Sequence, residues 1–263
     1  MGKYLAVISN SIKKNLAYRA NTFILMISVL FSFGVLFYFW NSIYMQGNKV
    51  GTYTLSEIIS YYIFITIFEL LFTSTNTAWS IGDEIRNGQI TNSILKPMGY
   101  FEYKFSQSLG VIFYRMMLFV PVIALVLFLL RNYLTQPKDD YGYLFFIILS
   151  FLAFILNYII YYIVGISSFW VVDNNGFFFT CLVVISFMQG QWMPLDLLPT
   201  WFVTLGNYLP FKYLFFVPVG VVSGRSAFEY SMLIIPLLWC VSLYFLAKFL
   251  YKKGIKKYEG YGV

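Results

Sequence analysis

The sequence predicts an all-α integral membrane protein with six transmembrane helices, and two observations lead to that prediction. Of its 263 residues, 60% are hydrophobic and only 11% are charged, whereas a soluble domain carries about 25% charged residues. Six apolar stretches are also long enough to cross about 30 Å of hydrocarbon at about 1.5 Å per residue. Lipid is therefore the expected solvent for much of the surface.

Each predicted span is a nearly continuous run of apolar residues. The six runs are Thr22–Tyr44, Ile58–Ser80, Leu109–Leu130, Leu144–Val172, Phe177–Met193 and Tyr230–Leu250. The first is too long for the apolar core of a cleaved signal peptide, so we expect it to remain in the mature protein. The fourth is overlong and is expected to tilt. The fifth is short, which leaves open that it continues into the irregular segment behind it.

The distribution of Lys and Arg predicts the orientation. In a six-span arrangement, thirteen of the 18 basic residues fall on the side that holds both termini, and five fall opposite. The thirteen are Lys3, Lys13, Lys14, Arg19, Arg86, Lys96, Lys104, Arg115, Lys248, Lys252, Lys253, Lys256 and Lys257; the five are Lys49, Arg131, Lys138, Lys212 and Arg225. Both termini are therefore predicted to be cytoplasmic.

A seventh crossing through Trp201–Val222 is the main rival topology. It would bring Pro210, Lys212 and Pro218 into the membrane and would move the lysine-rich tail outside. Both consequences are unfavourable, so residues 189–228 are predicted to be external. Their apolar pieces, of about 12 residues each, are typical of short re-entrant or interfacial helices.

Residues 1–21 predict an amphipathic helix. Leu5, Ile8, Ile12 and Leu16 recur at helical spacing, and Lys3, Lys13 and Lys14 lie elsewhere around the helix. Such a helix lies on the membrane surface with its apolar face in the lipid. The alternative is a helix that packs on its own protein.

The connection after the second predicted span, residues 82–107, is the most informative polar segment. Ile81 and Ile85 share a spacing that Ile90 and Ile94 repeat after Gly88. Lys96 precedes a proline, which disfavours helical geometry at that lysine. A short helix, a glycine break, a second short helix and a proline stop predict a rigid docking element. The alternative is a solvated loop.

Ionisable and amide groups within the predicted spans require an explanation. Arg115 is expected to reach the cytoplasmic interface, and three others are candidates for a functional role. They are Glu69, Asn76 and Asn157. One interpretation makes them polar contacts between helices, with Glu69 protonated or hydrogen-bonded. The other makes them the wall of a polar translocation path.

The sequence offers no recognisable catalytic, metal or cofactor site. It contains no histidine, which excludes Ser-His and zinc-histidine chemistry. It also has no G-x-x-x-x-G-K-[ST] phosphate loop and no G-x-S-x-G or H-E-x-x-H motif. The net charge of +7 lies in tails and connections, where anionic lipid head groups explain it better than nucleic acid does.

The order of these parts resembles the ABC-2 type transporter permeases, in particular the six-span branch linked to multidrug and antibiotic export. The matching features are Tyr18-Arg19-Ala20-Asn21 after the basic N-terminal helix, the I-R-N-G-Q-I-x4-L-K-P run of Ile85–Pro97, and the prolines and Trp201 that precede the last span. The resemblance covers essentially the whole chain as a single transmembrane domain, residues 1–263.

The resemblance implies a permease subunit of an exporter in a bacterial plasma membrane. Two such subunits, identical or paired with a sister permease, would assemble with two separate ATPase subunits that carry the ATP and Mg²⁺. It places Asp83, Glu84, Arg86, Asn87, Gly88, Gln89 and Ile90 at or near the ATPase contact. The charges of Glu84 and Arg86 are therefore expected to be exposed. The main alternative is a secondary transporter or channel without an ATPase, although that class usually shows internal repeats. The resemblance does not identify the exported substrate.

Overall fold

The chain is mainly helical in the residues that the structure, a computed structural model, describes: 2–47, 50–72, 74–171 and 174–259. Within them the α-helices are α1 Gly2–Ala17, α2 Arg19–Met45, α3 Leu55–Phe72, α4 Thr75–Arg86, α5 Ile90–Ile94, α6 Tyr100–Leu129, α7 Gly142–Ile166, α8 Asn174–Met188, α9 Thr200–Asn207, α10 Phe216–Val222 and α11 Ser231–Glu259. The prediction of an all-α fold is confirmed.

Five helical stretches, of which the second comprises α3 and α4, are long and apolar enough to cross a membrane. They cover Ala20–Met45, Leu55–Arg86, Tyr100–Leu129, Gly142–Phe169 and Ser231–Tyr258. The remaining predicted span, Phe177–Met193, corresponds to α8, whose 15 residues extend only about 22 Å. Helix length therefore supports five of the six predicted spans, and the sixth pass stays a prediction.

The helices divide into a buried centre and an apolar periphery. From Ile58 to Leu71, α3 is buried at every residue except Glu69, and much of α7 is buried as well. By contrast, α2 and α11 expose many large apolar side chains, among them Phe31 and Phe245. A helix that is apolar on all sides belongs in a protein interior or in lipid. The buried helices at the centre of this bundle are in a protein interior, and the exposed apolar helices at its periphery suit lipid.

The second predicted span is not one continuous helix. Within Ile58–Ser80, α3 ends at Phe72 and α4 begins at Thr75. The Ser74 amide donates a hydrogen bond of 3.1 Å to the Asn157 side-chain oxygen on α7. The first amides of a helix lack partners within the helix, so Asn157 satisfies one backbone donor at this interruption.

The first and last helices meet the α5 connection at one end of the bundle, which we call the terminal end. The Lys3 ammonium donates to the Pro97 carbonyl at 2.6 Å. The Tyr100 and Tyr251 rings stack with centroids 5.3 Å apart. The helix α11 continues nine residues past the predicted end of its span, Leu250, so much of the lysine-rich tail is helical.

The N-terminal helix packs along α6 and also keeps apolar side chains exposed. At Gly110 the Ile8 carbonyl and the Ser11 side chain fill the space that any Cβ would need. The Ser11 hydroxyl donates to the Gln107 carbonyl at 2.9 Å. Leu5, however, is 64% exposed. The helix therefore packs on its own protein along α6, and its predicted position on the membrane surface stays a prediction.

The opposite end of the bundle is held together by a polar cluster that joins separate connections. The Tyr53 hydroxyl donates to both carboxylate oxygens of Asp196, at 2.8 and 2.9 Å. The Arg225 guanidinium lies 3.3 Å from the same carboxylate and 4.1 Å from the centre of the Tyr53 ring. Burial and the Asp196 carboxylate raise the pKa of Tyr53, so this phenol stays a donor at physiological pH. Thr135 of a third connection donates to the Ser223 carbonyl at 2.6 Å.

We expect Asp196→Asn to loosen this end of the bundle. The amide loses the charge that Arg225 and Tyr53 share, and hydrogen bonds to charged groups contribute about 1.5–3 kcal/mol. Thermal unfolding in detergent should show a free energy of unfolding lower by about 1–2 kcal/mol. Asp140→Asn, at an exposed carboxylate of the same end, is the control. Equal melting temperatures for the two variants would show that the cluster does not stabilise the fold.

Candidate functional site

The connection at the terminal end has the geometry that the sequence predicts. Helix α4 ends at Arg86, and Gly88 follows with φ of +73°, a left-handed conformation that favours glycine after a helix. Helix α5 then covers Ile90–Ile94, and the chain bends before α6 begins at Tyr100. The connection is shorter than the predicted 82–107, because both of its ends are already helical.

The last turn of α4 and the following bend form one compact unit, which we call the corner segment (residues 83–97). Of the seven predicted contact residues, Asp83, Arg86, Asn87 and Gln89 are exposed, and Gly88 is half-buried. Ile90 is completely buried and anchors the segment. Asp83 and Arg86 form a surface ion pair of 2.7 Å. The exposed polar residues are therefore available to a partner, whereas Ile90 is not.

Glu84 differs from the prediction, which treats it as an exposed charge. Its carboxylate lies 2.6 Å from the Lys104 ammonium, and Lys104 is only 2% exposed. The Tyr100 hydroxyl donates to Glu84 at 2.8 Å, and Lys104 also donates to the Ser80 hydroxyl at 2.8 Å. Ser80 and Glu84 are four residues apart, so they share the face of α4 that meets α6. Exposure is the wrong expectation for Glu84, which joins the two helices internally.

Leu95 is a residue of the corner segment that the prediction of contact residues omits. Its side chain is 79% exposed, just before the bend at Lys96, whose ammonium lies 3.6 Å from the centre of the Tyr103 ring. Isolated exposed leucines are ordinary. Leu95, however, lies beside the exposed polar residues on a rigid bend. The feature of the sequence that marked it is its place in the I-x4-L-K-P run.

The three polar residues predicted for a translocation path lie around one cavity. Glu69, Asn76 and Asn157 all line a space of about 190 Å³ inside the bundle. Gln191 hydrogen-bonds to the Glu69 carboxylate, and the Arg115 guanidinium lies within electrostatic range of it. The structure thus brings the predicted residues together, although Asn157 also caps α4.

Arg115 and Gln191 are members of this site that sequence reasoning missed. Arg115 was expected to reach the cytoplasmic interface, but its side chain is only 7% exposed and lines the same cavity. A carboxylate in a membrane interior costs several kcal/mol unless it is paired or hydrated. Arg115 supplies the compensating charge, and its position 46 residues after Glu69 gave no indication that the two would meet.

Two further cavities extend this site toward α1. One, of about 110 Å³, shares Arg115 and Asn76 with the first cavity. The other, of about 740 Å³, shares Asn76, Thr77 and Ser108 with the second. We call this strip of polar side chains, from Asn15 past Asn76 and Arg115 to Gln191, the polar lane. It can accommodate polar groups or water along an otherwise apolar bundle.

We expect Glu84→Gln to destabilise the chain strongly. The amide leaves the Lys104 ammonium buried without a counter-charge, and breaking a buried pair costs about 3–5 kcal/mol. Thermal unfolding in detergent is the measurement, with Asp83→Asn as the exposed neighbouring control, for which a change within about 0.5 kcal/mol is expected. The double variant Glu84→Gln/Lys104→Met should recover much of the loss. If Glu84→Gln and Asp83→Asn unfold alike, the pair is not structural.

The comparisons with known proteins identify the family. A search of curated proteins found no match to this chain. The sequence model named ABC2_membrane_6, described as an ABC-2 family transporter protein, matches residues 9–262. The resemblance seen in the sequence is thereby confirmed, and the corner segment and the polar lane both lie within the matched residues. Members of this family are membrane components of transporters and are not themselves catalytic. The chain belongs to the ABC-2 family of transporter membrane proteins.

Proposed function

We propose that this chain is the membrane-spanning permease subunit of an ATP-driven ABC-2 type exporter, which couples to separate ATPase subunits and forms its translocation path as a dimer. The corner segment carries the proposal. It is a rigid bend at one end of the bundle, fixed from within by Glu84 and Ile90, with Asp83, Arg86 and Leu95 on its outer surface. ATP and Mg²⁺ belong to the partner ATPase.

The chain would cross the membrane six times, with both termini cytoplasmic in a bacterial plasma membrane. Both the first and the last helix meet the corner segment at the terminal end, which supports an even number of crossings. Helix α8 leads away from that end, where the Phe178 and Trp79 rings are 5.2 Å apart. The chain then reaches Trp192, whose carbonyl accepts a hydrogen bond from Tyr62 at 2.8 Å. Helix α8 and the non-helical residues behind it would complete the sixth pass, and the thirteen basic residues favour a cytoplasmic terminal end.

The segment 189–228 would be re-entrant and would close the polar lane from outside. The Phe215 ring lies 4.9 Å from that of Phe68, which is near the end of α3 and close to the middle of the stretch Leu55–Arg86. By Gly224 the chain has returned to contact Gln136 in an end connection. Helix α10, which lies between these points, buries most of its residues. An inward and outward path of this kind is tolerated at membrane depth only where protein covers it.

A secondary transporter is the second candidate, and one observation favours it. Glu69 and Arg115 lie within electrostatic range of each other beside a polar cavity inside the bundle, and ionisable groups within membrane spans mark ion pathways and proton relays. The two functions differ in their need for an ATPase, so association with an ATPase separates them.

The coupling proposal predicts that exchanging two surface charges will disrupt the ATPase contact. In the variant Asp83→Arg/Arg86→Asp, the ion pair and the net charge are kept while the pattern presented to a partner is reversed. Leu95→Ala removes the exposed apolar side chain. Because interface anchors contribute about 1–2 kcal/mol or more, we expect ATPase affinity to fall about tenfold in each variant. The measurements are co-purification of an ABC ATPase with this chain from native membranes and binding of that ATPase to the chain in nanodiscs.

The control for this experiment is Leu205→Ala, at an exposed leucine of α9 far along the chain from the corner segment. All three variants should unfold within about 0.5 kcal/mol of the natural chain, since the altered side chains are exposed. Unchanged ATPase binding in both corner variants would place the contact elsewhere. Failure of any ATPase to bind the natural chain would favour the secondary transporter.

If the polar lane is the translocation path, Glu69 is needed for transport more than for folding. Glu69→Gln keeps a hydrogen-bonding group for Gln191 but removes the charge near Arg115, and Glu69→Leu removes both. If the polar lane is the path, ATP hydrolysis by the purified complex in native lipid extract should lose its coupling to export in both variants, with Leu the worse.

Stability separates the two interpretations of Glu69. The double variant Glu69→Gln/Arg115→Gln removes the pair without leaving one buried charge, so the folding penalty of a lone charge disappears. A path residue predicts that this double variant folds and still fails in transport. Full transport by the double variant would make the pair a contact between helices only. Glu57→Gln, at the first turn of α3, is the control.

A further inference from the structure

The largest part of the polar lane is a groove between α1, α4 and α6, which we call the basic groove. Its volume is about 740 Å³, and four lysines line it: Lys13, Lys14, Lys96 and Lys104. Among the described residues that line it there is no Asp or Glu. The groove is thus strongly positive, in a chain that belongs largely in lipid.

Three of the four lysines contribute uncompensated charge to the groove. Lys104 is neutralised by Glu84 at 2.6 Å, whereas no ion pair joins Lys13, Lys14 or Lys96 to a carboxylate within the described part of the chain. Lys14 and Lys96 also lie close enough to Lys104 to repel its charge. Ammonium groups that converge in this way repel one another, and a bound anion would relieve the repulsion.

The other side chains of the groove suit an oxygen-rich anion. Ser9 and Ser80 offer hydroxyl groups, and Asn10, Asn15 and Gln107 offer amide groups. Phosphate oxygens accept several charge-assisted hydrogen bonds at once, and lysine is a common phosphate ligand. A carboxylate would satisfy fewer of these donors, so the groove matches a phosphate group better.

The groove opens beside the part of the chain that is best placed to lie at a lipid surface. Lys13 and Lys14 are exposed on α1, and Leu5 and Leu16 remain exposed on the same helix. An amphipathic helix with exposed leucines and lysines lies at the boundary between head groups and acyl chains. The mouth of the groove is therefore at the depth of lipid phosphates, and it is open to soluble phosphate compounds as well.

We propose that the basic groove is a binding site for a phosphate-bearing anion, presented either as a lipid head group or as a soluble phosphate compound. The site is formed by this chain alone and does not depend on an ATPase. Its test therefore gives a result whether or not the exporter proposal holds.

The experiment measures binding to the purified full chain in nonionic detergent. Dioctanoyl phosphatidic acid represents the lipid source, inorganic triphosphate represents the soluble source, and zwitterionic dioctanoyl phosphatidylcholine is the reference. The groove variant is Lys13→Gln/Lys14→Gln/Lys96→Gln. The matched control is Lys252→Gln/Lys253→Gln/Lys256→Gln, which removes the same charge from three exposed lysines of α11.

We expect one or both anionic probes to bind more tightly than the reference. Since each lysine near an anionic surface contributes roughly a fivefold gain in affinity, the groove variant should lose about tenfold or more, and the control less than about twofold. Groove-dependent binding of phosphatidic acid alone identifies a lipid head group; groove-dependent binding of triphosphate identifies a soluble compound. Equal losses in the two variants, or no preference for either anion, would overturn the proposal.

A second measurement keeps the natural lysines. In Ser9→Cys the new thiol lies on the groove wall, whereas the natural Cys240 is buried and Cys181 is half-buried. The bound anion should slow alkylation of this thiol by a maleimide, and phosphatidylcholine should not. Alkylation at the same rate with and without both anions would also overturn the proposal.

Discussion

The ion pair between Glu84 and Lys104 determines how the terminal end of this bundle is built. It is nearly dry, with an ammonium that is 2% exposed, so each charge depends on the other and on the hydroxyl groups around them. Tyr100, which donates to Glu84, also stacks on Tyr251 of the last helix. The pair therefore fixes α4 against α6 and, through Tyr100, positions α11. Together with the buried Ile90, the pair supports the corner segment, because α5 alone has only five residues.

The polar lane also holds charged side chains inside the bundle, but their surroundings differ from those of Glu84 and Lys104. Glu69 and Arg115 lie beside a cavity of about 190 Å³ rather than in tight packing, so water or another polar group can share their solvation. A buried pair that is closely packed stabilises one arrangement. A pair beside a cavity leaves room for a ligand or for movement. The Glu84 carboxylate and the Lys104 ammonium are in direct contact at 2.6 Å although Lys104 also lines the basic groove, so the two sites differ in how closely their charges are held.

Sequence alone predicted the elements whose formation depends on composition, and it missed those that depend on contacts. Long apolar runs gave the positions of five helices, and Gly88 with Pro97 gave the geometry of the corner segment, because glycine and proline act locally on the backbone. The exposure of Glu84 and the position of Arg115 were wrong, since a partner on another helix decides whether a charge is buried. The interruption between α3 and α4 was also invisible, because its amide donor is satisfied by Asn157, more than eighty residues later.

Helix α4 connects the corner segment to the polar lane and gives the proposed exporter a physical link between them. Its last turn carries Asp83 and Arg86, its middle faces α6 through Ser80, and its first turn contributes Asn76 to three cavities. The twelve residues of α4 form a rod of about 18 Å, separated from α3 by the interruption before Thr75. A displacement of the corner segment would therefore reach Asn76 without bending α3, which is buried on nearly every side. The helix that would receive a partner's motion is thus the helix that lines the lane.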